Sequence, residues 1–406
     1  VEVDSLSEVV NMQLSTFDTT FTEKYTPEFW LDFFVEKYHF KEFSKNHFDY
    51  IDTKTFIEFA KEELETNNEI VRKVNGIFRK AYSYYFESFE KNLPEFSGFK
   101  HFFSESFPYD DYFIARYDIM IDESRTLRFL ETNANTPGMI CESHYPAFLL
   151  NPPGYTNQSE QLIEYTKAWW KKKKEELHLK KIAIFTAYTH ENEDYFVCCT
   201  YANILEEVFG KENIIIGDIY DMNILEDTYI TLKGERVDAI LSYFPLEFFL
   251  TDIDFALKFL NIIQGGGCFL ANPIESMIPQ DKLIFAVIWE NIENYTEDEQ
   301  AIIKKHIPFT SRIFQDDEKR FLAKWRFGRY GREIYTNRFY TNIDDDNRYI
   351  YQEKVIPWTV NERGDYLVIS AYSDFHECIS WISRKQEFRT TDDTYNGVTL
   401  IYTSNT

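Results

Sequence analysis

Between Ile114 and Asn133 apolar and polar residues alternate with a period of two, the repeat of a β-strand. Tyr117, Ile119 and Ile121 fall on one face and Arg116, Asp118 and Met120 on the other. Asp122-Glu123-Ser124-Arg125 has the composition of a turn. Thr126 to Asn133 then runs back, with Leu127, Phe129, Glu131 and Asn133 sharing a face. A loop of about four residues sets Asp118 opposite Glu131 and Arg116 opposite Asn133. One end of this hairpin therefore carries an arginine, two carboxylates and a carboxamide.

The first hundred residues have mostly helical spacing. Pro27 starts one helix, with Phe29, Phe33 and Phe34 behind it. Asp52 is expected to cap a second, carrying Phe56, Phe59, Ala60 and Leu64, and Ile70 to Lys91 continues with Val71, Val74, Ile77, Phe78 and Ala81. From Lys181 short apolar runs alternate with helices: Ile182 to Phe185, a helix from Tyr195 to Phe209, Ile214 to Ile216, Val237 to Tyr243, and a helix from Ile253 to Ile263. Such alternation predicts a doubly wound parallel sheet. Near the end, Tyr366 to Tyr372, Cys378 to Ser383 and Val398 to Tyr402 read as strands completing an antiparallel core with the hairpin.

Composition narrows the function. The 406 residues are 44% hydrophobic and 27% charged, a globular balance, and the formal net charge is −25. Such a surface repels nucleic acid and anionic membrane, so any phosphate site must build its own positive pocket. No secretory signal or transmembrane run is visible, and the five scattered cysteines show no metal or disulfide spacing, which suits reduced thiols in a cytoplasmic protein.

Two carboxylates on one face need a positive partner. Arg116 could supply it as a structural ion pair; Mg²⁺ could also, since it takes carboxylate oxygens and leaves positions for phosphate. Lys324, on a strand ahead of Gly328-Arg329-Tyr330-Gly331, suits a nucleotide lid, though a basic hairpin tip has the same look. Glu247 lies just beyond the third parallel strand, where α/β sheets bind ligands. Other features read as structure: Lys171 to Lys174 as a solvated helix end, Gly265-Gly266-Gly267 as a turn, Asp344 to Asp346 as a solvated loop, and the cysteines as buried thiols.

Arg116-Tyr117-Asp118 followed by Leu130-Glu131-Thr132-Asn133-Ala134 resembles the glutathionylspermidine synthetase family, circularly permuted ATP-grasp ligases. Similar to that family are also Phe244-Pro245-Leu246-Glu247, the Asn272-Pro273 to Lys282 loop, the Lys324 and Gly328-Arg329-x-Gly331 pattern, and Arg348-Tyr349-Ile350-Tyr351-Gln352. The chain departs from it at Trp325, where proline is expected, at Gly138 and Met139 among the positions that hold glutathione, and in Glu387 to Thr406, which lack the closing pattern.

The resemblance implies an α/β (α+β) ATP-grasp fold with an antiparallel core sheet, a Rossmann-like parallel-sheet subdomain and an N-terminal helical layer. It implies a helical segment over 1–105, core over 106–176 and 346–406, a substrate subdomain over 177–275 and a lid over 276–345. Asp118, Glu131 and Asn133 become Mg²⁺ ligands, Arg116 and Arg384 catalytic residues, and Lys324, Gly328, Arg329, Gly331, Arg348 and Gln352 ATP contacts. Thr136 and Glu247 become substrate contacts, while Lys282 is expected as a helix-start and interface residue. The implied activity is an ATP- and Mg²⁺-dependent joining of a peptide or amino-acid carboxylate to a polyamine or amino-acid amine through an acyl phosphate. The alternative is a non-catalytic nucleotide-binding or scaffold relative.

Overall fold

The computed structural model describes residues 12–18, 23–26, 28–29, 33, 51–52, 54–187, 193–313, 317, 320–329, 334–335, 347–360, 362, 364–386, 396–399 and 401–404. Gly331, Asp344 to Asp346 and most of the helix expected from Pro27 lie outside the described residues.

The hairpin forms as its alternation predicts. Ala115–Ile121 pairs antiparallel with Leu127–Asn133, and the Asp122 carboxylate closes the turn by accepting from the N–H groups of Ser124 and Thr126. Tyr366–Ser373 adds to the Ala115–Ile121 edge, then Cys378–Gln386, then Asn396–Thr399, all antiparallel. Asp118 lies opposite Glu131 and Arg116 opposite Asn133.

One expectation is overturned here. Strict alternation put Glu131 and Asn133 on the face of Leu127 and Phe129. In the structure Ile119 pairs with Phe129 while Asp118 pairs with Glu131, so Leu130 is an extra residue, a β-bulge. One residue of slip sends every later side chain to the other face. Leu127, Phe129 and Thr132 are accordingly buried, whereas Glu131 and Asn133 stay partly open. The bulge turns the polar end of an apolar strand toward the site.

The apolar face is covered by the helix Lys61–Glu87, which buries Val71, Val74, Asn75, Ile77, Phe78, Ala81, Tyr82 and Tyr85 at helical spacing. Phe78 and Tyr117 meet edge to face at 5.3 Å. The hydroxyls of Tyr117 and Ser373 both donate to Asn75 Oδ1 at 3.0 Å. Asp52 does not cap a helix. Its carboxylate accepts from the N–H groups of Lys54 and Thr55 and leads into the strand Thr55–Phe59, whose β-branched and aromatic residues favour extended backbone. That strand runs parallel to Ile401–Ser404, in a sheet with Gln13–Thr16 and Tyr155–Asn157. The final expected strand is thus split: Asn396–Thr399 joins the core and Ile401–Ser404 leaves it.

The parallel sheet is present, in the order Phe269–Ala271, Ala239–Ser242, Ile182–Thr186, Ile214–Asp218. Its strand order reverses beside Ile182–Thr186, and the carboxyl end of Ala239–Ser242 leads to the short helix Leu246–Phe249 that carries Glu247. A small antiparallel sheet, Met222–Leu225, Tyr229–Leu232 and Glu235–Arg236, was not expected. The lysine run is less solvated than its composition suggested. Lys173 is buried and pairs with Asp111 and Glu176, and Lys174 donates to the Val208 carbonyl. All five cysteines are free thiols. Among the described residues no helix is long and apolar enough to cross a membrane.

A further antiparallel sheet holds Thr310–Ser311, Tyr349–Glu353, Phe321–Trp325 and Ile334–Tyr335. Arg326 ties it to the rest. Its Nε donates to both Asp281 oxygens at 3.0 and 3.1 Å, and its Nη2 donates to the Tyr85 hydroxyl at 3.0 Å and to the Asn92 carbonyl. Asp281 is wholly buried. An Arg326→Met variant would leave that carboxylate uncompensated, so a loss of about 3–5 kcal/mol is expected, read from urea unfolding; a loss below about 1 kcal/mol would show that other contacts hold this sheet.

Candidate active site

Asp118 is the most heavily engaged polar group at the hairpin end. Arg116 grips it with Nε to Oδ1 at 2.8 Å and Nη2 to Oδ2 at 3.0 Å. Ser370, its neighbour on Tyr366–Ser373, donates to Oδ1 at 3.0 Å, and Arg384 Nη2 donates to Oδ2 at 2.7 Å. Asn133 Nδ2 approaches Oδ2 at 3.4 Å. Burial by itself would raise this carboxyl. Arg116, then Arg384, outweigh it and hold the group below the ordinary carboxylate range.

Glu131 has a different partner. Lys282 Nζ lies 3.1 Å from its Oε2 and donates to the Gly328 carbonyl at 2.6 Å. Lys282 does stand where a helix starts and elements meet, as expected, but it also enters the site, linking a hairpin carboxylate to the turn at Gly328. Its sequence signal was only a lysine after a proline-rich loop. Lys324, on Phe321–Trp325, is buried and donates to Gln352 Oε1 at 2.6 Å. Gln352 in turn donates to the Thr310 hydroxyl and to the carbonyl of Leu130, the bulge residue, both at 3.3 Å. Burial, then the nearby Lys282, pull the Lys324 ammonium down to about 8 against the attraction of Glu131 and Asp118.

The structure therefore brings together Arg116, Asp118, Glu131, Asn133, Lys324, Gln352 and Arg384 from the expected residues, and adds Lys282 and Ser370. Arg348 stands apart: it is exposed, with its guanidinium 5.7 Å above the Trp325 ring. Trp325 is thus occupied as a platform for Arg348 where proline was expected. Arg329, after Gly328, reaches across to Thr136 and Glu247, donating at 2.8 Å and 2.5 Å. Gly138 is needed for close approach, because a Cβ there would lie 2.8 Å from the Tyr243 hydroxyl and 3.3 Å from Arg116 Nη1.

The family model described as glutathionylspermidine synthase preATP-grasp matches residues 31–398. This chain belongs to that family. Among solved structures it is similar to a glutathione synthetase-like effector of Globodera pallida in its apo form, at 11% identity and a TM-score of 0.55, covering 87% of this chain and 92% of that one. A likeness at that identity concerns the fold. A Methylobacillus flagellatus KT protein described as a gamma-glutamylcysteine synthetase is 12% identical, with a TM-score of 0.43 over 80% of this chain and 87% of that one. No curated protein matches. The fold is the mixed α/β architecture of ATP-grasp ligases, and family membership points to ligase chemistry.

Two outcomes follow from this geometry. An anion beside Lys324 favours its charged form, so affinity for inorganic pyrophosphate is expected to be full below pH about 8 and to fall by up to tenfold per unit above it. Calorimetric titration between pH 7 and 9.5 checks this, and a flat profile would remove Lys324 from the anion's surroundings. Gly138→Ala is expected to cost about 1–3 kcal/mol in thermal unfolding, with Tyr243→Phe in the same chain recovering much of it.

Proposed function

We propose that this protein is an ATP- and Mg²⁺-dependent ligase that joins a carboxylate to an amine. The observation that carries the reading is charge. Arg116, Arg384, Lys282 and Lys324 surround Asp118 and Glu131, a local surplus of positive charge in a chain of formal net charge −25. Holding ammonium and guanidinium groups this close together, largely out of water, is costly unless an anion arrives. A triphosphate has the complementary charge.

The donor set suits Mg²⁺. Asp118, Glu131 and Asn133 offer hard oxygens at paired positions of two strands. Among the described residues no cluster of three or more His, Cys, Asp or Glu could hold a metal by itself. Asp118, Glu131 and Asn133 would hold the ion. Nucleotide and ion together would supply activation of the carboxylate as an acyl phosphate.

The protein's own groups then have separable tasks. Lys282 and Lys324 neutralise phosphate charge, and Gln352 fixes Lys324 by accepting a hydrogen bond from its ammonium. Arg116 and Arg384 steady the negative charge of the substrate carboxylate and of the oxyanion formed when the amine attacks. Thr136 and Glu247 receive the amine substrate, and Gly328, Arg329 and Gly331 belong to the nucleotide lid; Arg348 serves at its rim. The working division is 1–105, 106–176, 177–275, 276–345 and 346–406, although the pairing of Thr55–Phe59 with Ile401–Ser404 cuts across it.

One observation favours a non-catalytic nucleotide-binding protein instead: both Asp118 oxygens are already engaged, so a metal must displace a partner. Turnover separates the two readings. Mg-ATP at a hundredfold over Kd is expected to stabilise the fold by about 2.7 kcal/mol. ADP release is expected only with added carboxylate and amine pools, and to fall on the order of 10²-fold in Asp118→Asn. Stabilisation without ADP release under any pool supports the binding protein, and no stabilisation sinks both.

A further inference from the structure

Arg329 follows the glycine of the lid turn, and its guanidinium is held by two side chains outside that turn. Nη1 donates to the Thr136 hydroxyl and Nη2 to Glu247 Oε1. This contact joins three parts of the molecule: the lid, the loop after the hairpin and the carboxyl end of the parallel sheet. It is also only half made. Glu247 Oε2 and Arg329 Nε are both buried and have no hydrogen-bond partner among the described residues, and Glu247 as a whole is 6% exposed. A settled arginine–carboxylate pair sets two N–H groups against two oxygens. Here the fork is split between a hydroxyl and a single oxygen, and a buried polar atom left without a partner is costly. Each leftover valence matches a different ligand: a cation for the free Glu247 oxygen, an anion for the free Arg329 N–H.

We propose that Arg329 is an internal stand-in for the cationic end of the amine substrate. It holds Glu247 until an ammonium group exchanges with it, and the exchange releases the guanidinium to the nucleotide phosphates. This rests on the ligase reading above and adds a linkage to it. A cation on Glu247 strengthens nucleotide binding, and by reciprocity the nucleotide strengthens cation binding by the same factor. ATP alone meets a phosphate site lacking one arginine, so the reactive intermediate is disfavoured until its acceptor is present.

Two readouts on the full chain test the exchange. The first is phenylglyoxal labelling of Arg329, followed by peptide mass spectrometry. Glu247→Gln is expected to speed labelling at least about fivefold, with Thr136→Val giving a smaller gain that leaves the carboxylate intact. The probe 1,4-diaminobutane is expected to speed labelling in the unsubstituted protein and not in Glu247→Gln. Equal labelling of Glu247→Gln and the unsubstituted protein, with both equally folded by thermal melt, overturns the proposal, as does a diamine effect that survives Glu247→Gln. The second readout is Mg-ATP affinity. Glu247→Gln is expected to bind at least about fivefold more tightly, and that gain should vanish when Arg329→Ala is added; a gain that persists overturns the proposal. Should no variant bind Mg-ATP, the ligase reading falls, while the labelling result still decides the exchange.

Discussion

A carboxylate taken out of water must be paired, and the pairing of Asp118 organises this molecule. Its partners come from four of the five core strands: Arg116 beside it, Asn133 across the hairpin, Ser370 on the next strand and Arg384 one strand further. Two guanidinium groups on one buried carboxylate fix the lateral order of those strands more firmly than aliphatic packing could. Misregister by one residue would leave a charge stranded, at a cost of several kcal/mol. The opposite face, under the helix Lys61–Glu87, is mainly apolar packing, with the buried Asn75 taking two hydroxyls from the sheet. Polar pairing sets register on one side, and burial supplies cohesion on the other.

The same arrangement gathers positive charge at one place in an acidic chain. Positive charge is gathered from segments far apart in sequence, and the arginines and the two lysines are held by different partners. Arg116 and Arg384 lean on Asp118, Lys282 on Glu131 and a backbone carbonyl, Lys324 on a carboxamide. Lys324, with a neutral partner, has its ammonium pulled down by burial. The bulge at Leu130 takes part twice: it turns Glu131 toward the lysines, and its carbonyl receives Gln352, which steadies Lys324.

Much of this was legible in the sequence. Alternation gave the hairpin and the partners of Asp118 and Arg116, and the βαβ rhythm gave the parallel sheet. Where alternation failed, the clue was present: Leu127 and Phe129 followed on one nominal face by Glu131 and Asn133 is a change from apolar to polar that an unbroken strand could not place well. Asp52 misled because a residue that accepts N–H bonds at a helix start also does so ahead of a strand. Lys282, Ser370 and Arg326 were not legible as partners, because nothing local marks them; their roles come from elements that meet only in the folded chain. Arg329 was readable as basic and glycine-flanked, but its attachment to Thr136 and Glu247 is a tertiary fact.

The pairing of Thr55–Phe59 with Ile401–Ser404 bears on how the protein is made. A ribosome emits the first of these strands long before the second, and the central hairpin likewise precedes Tyr366–Ser373 and Cys378–Gln386, which close its open edge. Through most of synthesis the nascent chain therefore shows unpaired strand edges, and its long-range closures come late and slowly. Unpaired edges invite pairing with other chains, so recombinant yield should depend on translation speed and chaperone supply more than on the stability of the finished fold.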